Sequence, residues 1–218
     1  MQVNFAWSNA VKFWPWVGDY YADGWINRRR LLILGESHYD ARKEWIDKSV
    51  EDQRNITIET VKEWLNPAED FFPNDFYGKL HRALTDRKNP SERAVRGQWH
   101  RIAYANYVQE IVGLEGRARK TKRHWVSGIG AFVEVLRSLR PNLVLVLGKA
   151  NWDNIDCGFK VDQIKIGNTE RSVYHFPWDT PKGDGAHASW VYHPTSSKHS
   201  DDDLKSMLRL LAERAQCS

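Results

Sequence analysis

Two unbroken apolar runs dominate the pattern of the chain: Leu31-Leu32-Ile33-Leu34, closed by Gly35, and Leu143-Val144-Leu145-Val146-Leu147, closed by Gly148. Neither alternates with polar residues, so each reads as a strand buried on both faces. Residues 102–108 offer a third strand. Residues 57–65 and 76–84 carry apolar positions at helical spacing, and 125–140 does so most clearly through Val126, Ile129, Phe132, Val133, Leu136 and Leu139, delivering the chain to Pro141. Residues 161–166 and 172–176 flank Asn168 as a hairpin, and 189–192 forms a strand that ends at His193-Pro194. Asp201-Asp202-Asp203 opens a last helix, whose apolar stripe is Leu204, Met207, Leu208 and Leu211. Strands interleaved with helices predict an α/β fold around a parallel or mixed sheet.

At 218 residues the chain is sized for one domain, taken as 1–218, with no repeat or linker to divide it. It shows no long uncharged apolar run, and residues 1–9 lack the basic-then-apolar pattern of a signal peptide; the expected compartment is the cytoplasm, with no membrane partner. Two cysteines, Cys157 and Cys217, exclude a disulfide scaffold and a four-cysteine metal cluster, so no cofactor is expected. A monomer is expected. The 32 Lys and Arg exceed the 28 Asp and Glu by only four charges, so the placement of the charges says more than their sum. Eleven Trp is a large excess, usable as core filler or as a platform for bases and sugars.

Ligands of open α/β sheets bind beyond the carboxyl ends of the strands, which directs attention to the residues after each apolar run. Gly35-Glu36-Ser37-His38-Tyr39-Asp40 follows the first, Asn106 to Gln109 lies at the end of the middle strand, and His193-Pro194-Thr195-Ser196-Ser197-Lys198 follows the last. These clusters hold what excision of a nucleobase requires. A carboxylate, Glu36 or alternatively Asp40, can stabilise a sugar cation and orient water. His193 can donate to the oxygen of the departing base, the Asn106 amide can read a pyrimidine edge, and Phe71 or Phe72 can stack on the base. Arg117, Arg119, Lys120, Lys122 and Arg123 crowd the approach to the long helix and suit a DNA backbone; Ser196, Ser197 and Lys198 can lie against the duplex.

The ordered motifs resemble the uracil-DNA glycosylase superfamily across most of the chain. Gly35-Glu36 looks like the Gly-Glu opening of its thermophile-type branch, and Tyr39 falls where another branch has the Tyr of a Gln-Asp-Pro-Tyr-His motif. The segment Phe71-Phe72-Pro73-Asn74-Asp75-Phe76-Tyr77 is similar to the mismatch-specific branch, whose leading Phe stacks on the extruded base. Asn106 looks like the strand-borne Asn of the superfamily, His193-Pro194-Thr195 like its His-Pro-Ser motif, and Arg140 to Lys149 like the segment preceding it. The resemblance implies a three-layer αβα sandwich with a central, mostly parallel sheet. It also implies a monofunctional DNA glycosylase that extrudes a pyrimidine nucleotide and leaves an abasic site. Ser37 and His38 stand where the related motif has its catalytic Asp and Pro, so the excised base is either uracil or a bulkier hydroxymethylated or glucosylated cytosine. The latter implies defence against phage with modified DNA.

Each residue also has a plainer reading. Glu36 can be a cap, His193 a turn residue, Asn106 a bracket for backbone carbonyls, the Phe pair core, and the basic run a solvated loop. Three other functions compete. A serine hydrolase would use Ser37 and His193 but lacks the second glycine of a nucleophile elbow; a metal hydrolase would use His38, Asp40 and His193; a DNA-binding protein would form no product.

Overall fold

The computed structural model describes residues 5–40, 43–66, 76–114, 120–156, 158–167, 169–179 and 184–214. Phe71, Phe72, Arg117 and Arg119 therefore lie outside the described residues.

Seven strands form one mixed sheet in the order β1-β3-β2-β4-β7-β6-β5. The predicted apolar runs are β2 (Leu31–Gly35) and β4 (Leu143–Leu147), and both are buried at every position, as unalternating strands must be. They pair in parallel with each other, with β3 (Ile102–Asn106) and with β7 (Gly185–Val191). Antiparallel strands flank this centre: β1 (Trp16–Val17) beside β3, and the hairpin of β5 (Phe159–Ile166) and β6 (Thr169–Pro177) beside β7.

Alternate residues along the strands feed two core clusters. Leu31, Ile33, Ile102, Tyr104, Leu143 and Leu145 join one with residues of α2 (Ile56–Trp64), α3 (Phe76–Thr85), α4 (Glu92–Trp99) and α7 (Asp201–Arg214). Leu32, Leu34, Ala103, Ala105, Val144 and Val146 join the other with Phe132, Val135, Leu136 and Leu139 of α5 (Lys122–Leu139). The remaining helices are short: α1 (Val50–Gln53) and α6 (Lys149–Asp153).

Two expectations about α5 need correction. It starts three residues before the apolar pattern, at a capping box between Thr121 and His124, because capping is set by side-chain hydrogen bonds that periodicity does not register. Val126 and Ile129, counted on its apolar face, are exposed. Trp125 packs on the core at the edge, and full burial begins at Gly128.

The topology fixes where a site can form. The chain leaves β2, pairs β3 on one side of it, then crosses to β4 on the other, so the strand order reverses at the carboxyl end of β2. Ligands of open α/β sheets bind beyond such a point. The strand ends are level there: Gly35 is in register with Asn106 and Leu147 with Val191.

Candidate functional site

Glu36 is the first residue beyond β2 and stands at this reversal. The chain continues extended beside the segment after β3, with Tyr107 and Val108 amides donating to the Gly35 and Glu36 carbonyls. Buried Asn151 of α6 donates Nδ2 to the Gly35 carbonyl at 2.9 Å, tying the end of β2 to the turn after β4. That turn is Gly148, whose φ of 100° favours glycine. A Cβ placed there would lie 3.5 Å from Glu36 Oε2 and 3.7 Å from His193 Cβ, so the carboxylate and the base of the histidine side chain both approach this glycine.

Asn106 is buried, and its Oδ1 accepts a hydrogen bond from the Tyr104 hydroxyl at 3.1 Å, which orients the amide. Gly35 makes the room. A Cβ at Gly35 would fall 2.2 Å from Asn106 Oδ1 and 2.4 Å from the Tyr104 hydroxyl. Burial raises the Tyr104 and Tyr77 phenols well above their usual range, so both stay protonated donors.

His193 follows β7 through Tyr192. Its Nδ1 accepts from the Thr195 amide at 3.3 Å and lies 2.9 Å from the Thr195 hydroxyl. A nitrogen that accepts cannot carry the proton, which leaves the neutral ring with Nε2–H as a donor. Burial lowers its pKa to about 4; the Glu36 charge opposes this, while Lys120, His199 and Lys79 add to it. At neutral pH His193 is uncharged.

Helix α3 supports this loop along one edge. The Phe76 ring lies 5.1 Å from the His193 ring and 6.4 Å from that of Tyr104; Lys79 donates to the Pro194 carbonyl; and Arg82 bonds Asp201 at 2.9 Å, at the start of α7. A helical spacing of three puts these side chains in a row. Phe76, Lys79, Gly148 and Asn151 were missed as site residues because their roles depend on tertiary approach. The clues were slight: Phe76 sits in the motif with Phe71 and Phe72, and Gly148 ends an apolar run.

Lys120, expected on a phosphate, instead reaches inward. Its ammonium pairs with the Glu36 carboxylate, donates to the Tyr39 hydroxyl and sits 4.9 Å from the centre of the Tyr39 ring; its side chain is 13% exposed and that of Glu36 16%. Burial alone would lower its pKa, but the hydrogen bonds and charges of Glu36 and Tyr39 prevail and raise it. The amine stays protonated.

Asp40 does different work from the alternative role expected of it. Its Oδ1 accepts the Glu44 amide and its Oδ2 the Trp45 and Ile46 amides, at 2.7 to 2.9 Å. Burial raises its pKa, yet these donors and Lys48 hold it below the carboxylate range. It pins a turn. His38 is likewise structural: Nε2 lies 2.8 Å from Thr57 Oγ1, and burial drives its pKa down to about 3.

Ser37 Oγ is buried without a hydrogen-bond partner, so no base is aligned on it as a serine nucleophile requires. Among the described residues no cluster of His, Cys, Asp or Glu is placed to hold a metal ion, and no helix is long and apolar enough to cross a membrane. Lys122 and Arg123 project from the first turn of α5, and Ser196 to Lys198 form an exposed turn capped by the Ser196 hydroxyl on the Lys198 amide. Glu36, Asn106 and His193 thus lie at neighbouring strand ends, with Lys120 bonded to Glu36 and Tyr39. No family model and no curated protein matches this chain.

Proposed function

We propose that this protein is a monofunctional DNA glycosylase of the uracil-DNA-glycosylase type, a single domain with helices on both sides of the sheet as a three-layer αβα sandwich. The observation that carries the reading is the meeting of an acid, Glu36, with a neutral imidazole donor, His193, beside the oriented amide of Asn106 at the strand-order reversal.

In the reaction the bond from the sugar C1′ to the base nitrogen breaks, and its electron pair leaves with the base. His193 Nε2–H donates to the base oxygen that gains charge; Asn106 reads the edge; Phe76 supplies an aromatic wall. Glu36 faces the sugar cation and orients a water. The water oxygen bonds to C1′, one proton passing to Glu36 and on through solvent to the released base. Lys120, protonated and paired, is no free amine for a Schiff base. Lys122, Arg123 and the turn at 196–198 grip the duplex. The base is uracil or a hydroxymethylated or glucosylated cytosine, and the latter gives a defence role against modified phage. The protein acts as a cytoplasmic monomer.

Duplexes carrying uracil, 5-hydroxymethylcytosine or its glucosylated form, incubated with the protein and then with alkali, test this. Strand breaks at one of these bases, forming far more slowly with Glu36→Gln, are expected. No break at any of them rejects catalysis and leaves a DNA-binding protein.

A further inference from the structure

We infer that Lys120 is a positioning residue that latches Glu36 until a backbone phosphate displaces it, restricting the site to nucleotides within a DNA chain and excluding free nucleosides. The inference rests on the glycosylase reading and adds the regulation of that site.

A carboxylate stabilises a sugar cation through its uncompensated charge. In the free protein Glu36 lacks that property, because the Lys120 ammonium lies against it in a setting where both side chains are largely removed from solvent. A fixed cation beside the reacting sugar opposes the transition state. The ammonium must therefore be drawn off when substrate binds, and its location supplies the means. Lys120 immediately precedes Thr121, the N-cap of the 18-residue helix α5, whose first turn exposes Lys122 and Arg123. Arg123 is 82% exposed and 3.6 Å from Glu110, a loose pair that leaves it available.

A phosphate beside the extruded nucleotide would meet Lys120, Lys122 and Arg123 and the positive end of a helix. It then competes with Glu36 for the flexible lysine. A nucleoside carries no phosphate and leaves the latch closed.

The test uses the full chain as wild type, Lys120→Met and Lys120→Arg, each shown folded by its thermal transition. The first measurement is the salt dependence of binding to a duplex that already contains an abasic site, which needs no turnover. Lys120→Met should lower the slope of log affinity against log salt by about 0.9, the loss of one phosphate contact, and Lys120→Arg should restore it. An unchanged slope in Lys120→Met overturns the inference. The second measurement applies to the base that wild type removes from duplex. Lys120→Met should raise KM on that duplex about tenfold, as expected for one lost contact, and should hydrolyse the matching free nucleoside at a rate wild type and Lys120→Arg do not reach. A silent nucleoside with unchanged KM also overturns it. Failure of wild type to release any base from duplex defeats the glycosylase reading instead, and the binding slopes still decide whether Lys120 meets phosphate.

Discussion

Glu36 leaves β2 one position after Gly35, and that offset sends its carboxylate toward Gly148 and His193 while Gly35 lies under Asn106. The two neighbours fail differently when changed. Glu36→Gln keeps shape and removes charge, so single-turnover base release should fall about 10²–10³-fold, with the urea midpoint little changed. Gly35→Ala adds one carbon where Asn106 and Tyr104 already sit, so it should cost about 1–3 kcal/mol in urea unfolding and blunt base release as Asn106 turns away. A Gly35→Ala protein as stable as wild type would mean that the Asn106 amide is not held where described.

The strands and helices around these residues were largely legible, because burial on both faces leaves an unbroken apolar run and amphipathic helices leave a period. Residues 102–108 read as a strand and β3 spans Ile102–Asn106; the hairpin and α7 were also readable. The two-residue β1, the short α1 and α6 and the eight-residue α4 were not; the first three are too short to show a period, and α4 buries only Val95 and Trp99. Glu36, Asn106 and His193 were visible as residues after strands. The roles of Lys120 and Phe76 were not, because contacts across 84 positions, as from Lys120 to Glu36, leave no local trace; Asp40 binds amides only four to six positions on, in a turn with no period to read.

Another such long-range contact braces the last strand. Arg171 of β6 has a fully buried side chain, stacks 4.5 Å over Trp190, donates to the Trp190 carbonyl and reaches Asp203 at the start of α7, 3.0 Å away. Burial lowers its pKa and Asp203 counters the effect. Asp203→Ala strands that cation, and a loss of about 1–3 kcal/mol is expected, reduced from a fully buried pair by the partial exposure of Asp203. Arg171→Met fills the same space without a charge and should cost less. Chemical denaturation of both variants checks the order; the reverse ranking would show that the pair itself, rather than relief of a buried charge, holds the strand leading to His193.

For the molecule as a whole, buried neutral histidines set its response to acid. His38 and His81 are 7% and 3% exposed, and burial lowers their pKa values to about 3 and about 4. An unfolded imidazole takes its proton near pH 6.5, so between that value and the folded pKa the unfolded chain binds more protons. Stability is full above pH 6.5 and falls as pH drops, by up to about 1.4 kcal/mol per unit for each histidine, until about pH 4 for His81 and about pH 3 for His38. Urea midpoints at pH 7, 6 and 5 should decline steadily; a flat series would contradict the burial of these rings in neutral form. His193 shares the direction, so its donor form persists through the neutral range.

The candidate site draws on the carboxyl ends of β2, β3, β4 and β7. Chain order and spatial order differ so much that cleavage at the β5–β6 turn, near Gly167, would put Glu36, Asn106 and Gly148 on one fragment and His193 on the other. Neither piece alone would hold all of these groups, and the cut falls in the turn of the hairpin, outside the parallel centre of the sheet. Two separately made fragments therefore offer a complementation pair in which recovered turnover reports reassembly of the sheet.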